Sequence, residues 1–271
     1  MALTPAEIAK QERFARIYGR SQCPAILAVE RRVCGCDYGG NSWTTRDEAR
    51  RMAALLGLKP GRRLLDIGSG AGWPGLYFAK ETGCEAMLMD LPLNGLQVAS
   101  DRAAKDRMSD RCGFAVADGA QLPFRDGSFD AVSHSDVLCC LKDKRGVLEA
   151  CRRAIRDSGR MVFTVIWITP GLSRDDYGRA LAGAPEFGEV ESDYPTLLGQ
   201  TGWSVAETFD VTDGYAASVR GFIRADRELK DELEALLGAD EFAERQADWH
   251  SQLSVIEAGL LRRDLFVARP R

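Results

Sequence analysis

Three aspartates and a run of glycines carry the chemistry legible in this sequence. Leu64-Leu65-Asp66-Ile67-Gly68-Ser69-Gly70-Ala71-Gly72 reads as a short apolar strand that delivers a carboxylate and then turns tightly. Gly68 and Gly70 permit positive φ and close approach of the backbone to a ligand. The helix that follows aims its first amides at the same spot. Asp90 closes the next apolar run, where a carboxylate can accept from both hydroxyls of a ribose. Asp118 closes a third run, before Gly119-Ala120, where a carboxylate can accept an adenine amino group while a backbone amide donates to a ring nitrogen. Gly70-x-Gly72-x-x-Gly75 also fits the dinucleotide fingerprint, so a nicotinamide-dependent oxidoreductase is one reading. That reading leaves Asp66 facing a pyrophosphate, lacks an evident Tyr-x-x-x-Lys and does not explain Asp118. A cationic ligand suits three acids around one cleft.

The elements that must position these residues alternate along the chain. Short apolar runs at Leu64–Ile67, Ala86–Met89, Phe114–Ala117, Phe129–Ser133 and Met161–Ile168 are separated by segments of helical texture. Fully apolar strands between helices predict a doubly wound α/β domain, a parallel sheet with both faces covered and ligands at the strand C-termini. The fourth run ends in Ser133-His134-Ser135-Asp136, beside the glycine loop in such a sheet. His134 titrates near neutrality in water and is a candidate to accept a proton there. Ahead of the domain, residues 6–18 and 24–33 read as amphipathic helices, and Gly35 to Asn41 as a flexible, glycine-rich linker. Thr45 can cap a helix over 46–56 that Gly57 ends. After Gly171 the segment to about Tyr194 reads as a cap over the strand ends, and 216–260 as a helical insertion between the last two strands.

Several motifs in order resemble the class I S-adenosylmethionine-dependent methyltransferases of the small-molecule, type 11-like group. They are Asp66-x-Gly68-x-Gly70-x-Gly72, Asp90, Asp118-Gly119-Ala120 with Leu122-Pro123-Phe124, Asp126-Gly127-Ser128-Phe129-Asp130, and the stretch from Arg153 to Arg160. In that stretch Asp157-Ser158 stands where the family usually has Pro-Gly. The resemblance covers Trp43 to Ile168 and implies a mostly parallel, seven-stranded Rossmann-like sheet. It implies methyl transfer from S-adenosylmethionine to a small-molecule acceptor, leaving S-adenosylhomocysteine. Gly68, Ser69, Gly70 and Gly72 would cradle the methionine part of the cofactor, with Asp66 and Ser133 beside them. Asp90 and Leu91 would hold ribose and adenine, and Asp118, Gly119 and Ala120 the adenine edge. Asp136 resembles an acid found in related small-amine methyltransferases, but their histidine four residues later is replaced here by Cys140. His134 and Asp136 are the catalytic candidates; Tyr38, Trp43, Ser135 and Tyr177 are the candidates to touch the acceptor. A non-catalytic protein that binds S-adenosylmethionine remains an alternative, because methyl transfer needs no invariant nucleophile. The resulting division is a helical lid over 1–45, a cofactor-binding core over 46–170, and a cap, insertion and two closing strands over 171–271.

Composition narrows the rest. The chain has 271 residues, 36 basic and 40 acidic, for a net charge of −4. That leaves no basic excess to hold a phosphate backbone, so no nucleic-acid partner is expected. Two histidines cannot build a His-rich metal cage, and none of the eight cysteines has zinc-site spacing, so no metal is expected and the thiols are read as reduced packing residues. The longest apolar run, Met161 to Ile168, falls short of the roughly 20 residues needed to span a bilayer. The first twenty residues carry charges throughout, unlike a secretory signal, so the expected compartment is the cytoplasm. The acids between Asp175 and Asp193 make the cap negative, hinting at a cationic or neutral acceptor.

Overall fold

The computed structural model describes residues 5–271, with side chains from Ile8 onward. Two helices lead the chain, α1 (Pro5–Arg20) and α2 (Pro24–Cys34), and α3 (Arg46–Leu56) follows. Thr45 caps α3 by accepting from the amide of Glu48 at 3.3 Å, and Gly57 ends it in the left-handed region, as the local sequence predicts. Then come β1 (Arg63–Ile67), α4 (Gly75–Thr82), β2 (Glu85–Asp90), α5 (Leu93–Lys105), β3 (Cys112–Val116), β4 (Phe129–Ser135), α6 (Lys144–Ala154) and β5 (Ile155–Ile168). The C-terminal third adds α7 (Arg174–Gly183), α8 (Tyr194–Gln200), β6 (Trp203–Asp210), α9 (Thr212–Glu228), α10 (Lys230–Leu237), α11 (Ala239–Glu257) and β7 (Leu261–Pro270).

The strands form one seven-stranded sheet in the order β3-β2-β1-β4-β5-β7-β6. Pairing is parallel from β3 to β5, while β7 runs antiparallel between β5 and β6. The doubly wound, mostly parallel sheet expected from the apolar runs is therefore present. Its two faces are covered by separate apolar layers. Leu65, Ile67, Val132, Phe163 and Phe266 pack under α6 and α8, and Leu64, Ala131, Val162 and Leu265 pack under α3 and α4. This alternation decides which strand-end side chains can meet. Asp66 pairs in register with Ser133, and Ser135 with Thr164, so these polar residues form a row on the α3/α4 face.

One local expectation needs correction. The stretch from Gly35 to Asn41 is not a loose linker. Cys36, Tyr38, Gly39 and Gly40 are buried, and the buried Glu30 carboxylate accepts from the amides of Gly39 (2.6 Å) and Gly40 (3.1 Å). A buried carboxylate needs such donors, and the turn supplies them.

Candidate functional site

The glycine loop runs between β1 and α4, with Gly68, Gly70 and Gly72 at φ +66°, +50° and +99°. A Cβ at Gly68 would strike Val137, and one at Gly70 would meet the Tyr18 hydroxyl at 2.5 Å, so close approach as well as torsion demands glycine. Asp90 fixes the loop. Its Oδ2 accepts from the amide of Gly70 and its Oδ1 from that of Leu91, both at 2.7 Å. Burial pushes the Asp90 carboxyl up to about 6 against those two amides. Asp66 lies fully buried at the end of β1, its Oδ1 accepting from the Ser133 hydroxyl. Burial raises it to about 7, against the pull of that hydroxyl. The Asp66 Oδ2 and the Ser69 hydroxyl are buried with no partner among the described residues. Asp118 stands one strand further, its Oδ1 accepting from the amide of Ala120 at 2.9 Å, with Gly119 packed against Ile67 and Val147. The strand ends thus bring together Asp66, Ser69, Asp90 and Asp118 as the sequence suggested.

Whether these residues fit a cationic nucleoside cofactor is decided by the unpartnered atoms. A buried polar atom without a partner is costly, and such atoms cluster where a ligand completes the set. Here an acidic oxygen and a hydroxyl wait at the glycine loop, with a second carboxylate on the next strand. They fit. The same geometry argues against a dinucleotide, because Asp66 Oδ2 lies against Gly75, where a pyrophosphate would have to meet the helix amides.

The structure separates the remaining candidates. His134 points to the opposite face of the sheet from Ser133 and stacks on Phe163 with centroids 4.5 Å apart. It is fully buried, neither ring nitrogen has a partner among the described residues, and burial drives its pKa down to about 3. A base must reach the proton it takes, so the expectation that His134 is a base has no geometric support. Asp136 sits at φ +55° in the turn after β4 and is engaged by Arg263, whose Nε donates to its Oδ1 at 2.9 Å and Oδ2 at 3.1 Å. The same buried guanidinium donates to Glu48 Oε2 at 2.9 Å, Thr44 Oγ1 at 3.2 Å and Thr164 Oγ1 at 3.1 Å. A carboxylate so paired positions structure rather than accepts protons. Tyr38 is buried against Trp73 and the Arg102 guanidinium. Tyr177 is exposed, its hydroxyl donating to Glu189 at the rim of the cap. Trp43 packs edge-on against Tyr215, Phe222 and Trp249, forming the wall between the N-terminal segment and the insertion. Ser135 has a buried, unpartnered hydroxyl on the same face as Asp66.

Residues 65–163 match the family described as methyltransferase domain. Residues 65–163 thus carry a methyltransferase domain. Among relatives, it is 29% identical over 165 residues to the methyltransferase GfsG of Streptomyces halstedii, covering 58% of each chain. It is 36% identical over 130 residues to 27-O-demethylrifamycin SV methyltransferase of Amycolatopsis mediterranei, covering 46% of this chain and 47% of that one. The chain therefore spans about half the length of the curated relatives it matches. Among solved structures, phosphoethanolamine N-methyltransferase 2 of Haemonchus contortus superposes with a TM-score of 0.77 at 21% identity, over 95% of this chain and 60% of that one. At that identity the likeness concerns the methyltransferase fold.

What sequence reasoning missed at this site lies outside its local motifs. Tyr18 of α1 is buried over Gly70 and Gly95, its hydroxyl pushed up by burial and by the charge of Asp90. Its helix is fastened at three places. Ala15 accepts from Asn94 of α5, Lys10 pairs with Glu186 of the cap, and Arg20 forms a two-pronged pair with Glu241 of α11. Nothing in the residues near Tyr18 signals these partners, which lie 76 or more positions away.

Proposed function

We propose that the chain is an S-adenosylmethionine-dependent methyltransferase acting on a small-molecule acceptor at nitrogen, oxygen, carbon or sulfur. The observation that carries this reading is the glycine loop pinned by Asp90 beside the unpartnered Ser69 hydroxyl and Asp66 oxygen. When bound, the cofactor would supply an activated methyl group on a sulfonium. Asp90 and Leu91 would hold the ribose and adenine, and Asp118, Gly119 and Ala120 the adenine edge. Gly68, Ser69, Gly70, Gly72, Asp66 and Ser133 would surround the methionine part. Residues 1–45 serve as the lid and 46–170 as the binding core. The cap and insertion within 171–271 frame the acceptor chamber behind Trp43 and Ser135. In this reading the protein supplies orientation and proximity, worth up to roughly 7–11 kcal/mol in a well-aligned displacement. The relatives act on acceptors as different as a rifamycin and, by its name, phosphoethanolamine, which supports a small molecule without choosing one. No helix among the described residues is long and apolar enough to cross a membrane. A cytoplasmic location and the absence of a nucleic-acid partner belong to the same proposal, resting on the charge balance.

Calorimetry with S-adenosylhomocysteine tests the cofactor, and turnover of methyl-labelled S-adenosylmethionine against a panel of small acceptors tests the reaction. A folded sample that ignores S-adenosylhomocysteine at millimolar concentration would end this reading.

A further inference from the structure

The buried arginine of β7 gathers two carboxylates and leaves one oxygen over. Arg263 donates through Nε to Asp136 and through Nη1 to Glu48 Oε2 at 2.9 Å, while Nη2 goes to Thr44 and Thr164. With all three ionised, two acids on one base leave a net negative charge. The other Glu48 oxygen, Oε1, is buried with no partner among the described residues. Burial raises the Glu48 carboxyl even beside that guanidinium, the mark of a carboxylate short of donors. Ser135 Oγ is a second buried orphan. Its register partner on β5 is Thr164, which accepts from Arg263 Nη2 at 3.1 Å, so Ser135 lies beside the same guanidinium on the same face of the sheet. A third orphan, the Tyr215 hydroxyl, belongs to a fully buried residue. Its ring packs 5.0 Å from Trp43, the neighbour of Thr44, and its helix α9 is tied to the Arg263 amide through Thr212 Oγ1 at 3.0 Å. Unpaired buried polar atoms are costly, and three of them around one ion-paired group mark where a polar ligand completes the set.

Resting on the methyltransferase reading, we propose that Glu48 Oε1 and Ser135 Oγ form the polar subsite for the methyl acceptor, and that this subsite takes a protonated amine. An ammonium donates to both oxygens and extends the alternation of Asp136, Arg263 and Glu48 by one more opposite charge. A carboxylate or phosphate there would face the Glu48 carboxylate, while the Nε, Nη1 and Nη2 of Arg263 are already engaged. A hydroxyl could make the bond but would leave the net charge standing. The ammonium is an anchor and not the methylated atom, because a protonated nitrogen has no free pair with which to attack. The cofactor end of the same polar row is Ser133, bonded to Asp66. Ser135 is two residues further along β4, roughly 7 Å away. The subsite therefore selects a small molecule that carries its amine about that far from the atom to be methylated.

The test is thermal unfolding of the full chain, with and without saturating S-adenosylhomocysteine, in ethylammonium chloride, sodium chloride and sodium acetate at matched ionic strength. Ethylammonium should raise the midpoint by roughly 3 °C over sodium once it stands about tenfold above its dissociation constant. Acetate should add nothing. Glu48→Gln keeps the volume and an acceptor oxygen but drops the charge, and should abolish the gain. Ser135→Ala leaves the Arg263 pairs untouched, so it tests the subsite even if Glu48→Gln folds poorly, and should reduce the gain. If the orphaned oxygens hold only water, ethylammonium will do no more than sodium and the proposal is overturned. An equal gain from acetate, or a gain that survives in Ser135→Ala and in folded Glu48→Gln, overturns it as well. In the acceptor panel, molecules bearing an amine should be preferred to their carboxylate counterparts, and Ser135→Ala should raise their KM about tenfold with S-adenosylhomocysteine affinity kept. Normal S-adenosylhomocysteine binding without an ethylammonium effect would sink this inference alone, whereas absent binding would sink the cofactor reading.

Discussion

Replacing Arg263 by methionine should be among the most damaging single changes in this protein. The side chain is 1% exposed and joins three distant pieces of chain: β7 itself, Glu48 of α3 and Asp136 after β4. Methionine fills much of the volume, so the change is mainly electrostatic. It leaves two buried carboxylates without their cation, and Glu48 already has one oxygen unpartnered and a pKa raised by burial. Breaking a buried pair from one side costs about 3–5 kcal/mol, a large share of the roughly 5–15 kcal/mol that holds a domain folded. Urea unfolding at pH 8 would show the loss as a lower midpoint at unchanged slope. The deficit should shrink on acidification. A carboxylate buried without its cation binds protons more readily folded than unfolded, so stability recovers as pH falls through the raised folded pKa of Glu48. Glu48→Gln and Asp136→Asn added to Arg263→Met should restore most of the loss, because no uncompensated charge then remains. A loss under about 1 kcal/mol at pH 8, or a triple variant no better than the single one, would refute the argument that these charges are mutually dependent.

Asp90, with its carboxyl raised to about 6, must be ionised to accept both ribose hydroxyls, so S-adenosylhomocysteine affinity should fall as pH drops below 6 and Asp90→Asn should flatten that dependence. Calorimetry at several pH values checks it, and Asp90→Ala should cost roughly 2–4 kcal/mol of binding. His134→Phe should leave cofactor binding unchanged. It should also remove an acid liability of up to about 4 kcal/mol, since a histidine held near 3 binds no proton when folded but does when unfolded, and stability drains away below pH 6.5. Acid unfolding of the two proteins side by side reads this out. Because Glu30 pins the turn at Gly39 and Gly40, limited proteolysis should spare Gly35 to Asn41 in the natural chain and cut there after Glu30→Ala.

Local pattern settled the placing of the glycine loop and its acids. A strand, a glycine turn and a helix lie between Arg63 and Thr82, so Asp66, Ser69 and Gly70 could be placed from sequence, and apolar runs ending in Asp90 and Asp118 put the other acids at neighbouring strand ends. The period of two along β4 also carries information, since Ser133 faces Asp66 and His134 must then face the other layer. Which layer is polar, though, depends on Thr164 and Arg263, which only the assembled sheet brings alongside. The acceptor half was decided by tertiary structure. Asp136 and Arg263 are 127 residues apart, and Glu48 and Arg263 are 215 apart. Tyr18 reaches the glycine loop because α1 is fastened to α5, the cap and α11. A side chain's charge state and role follow from burial and from its partners, and neither is a property of neighbours in sequence.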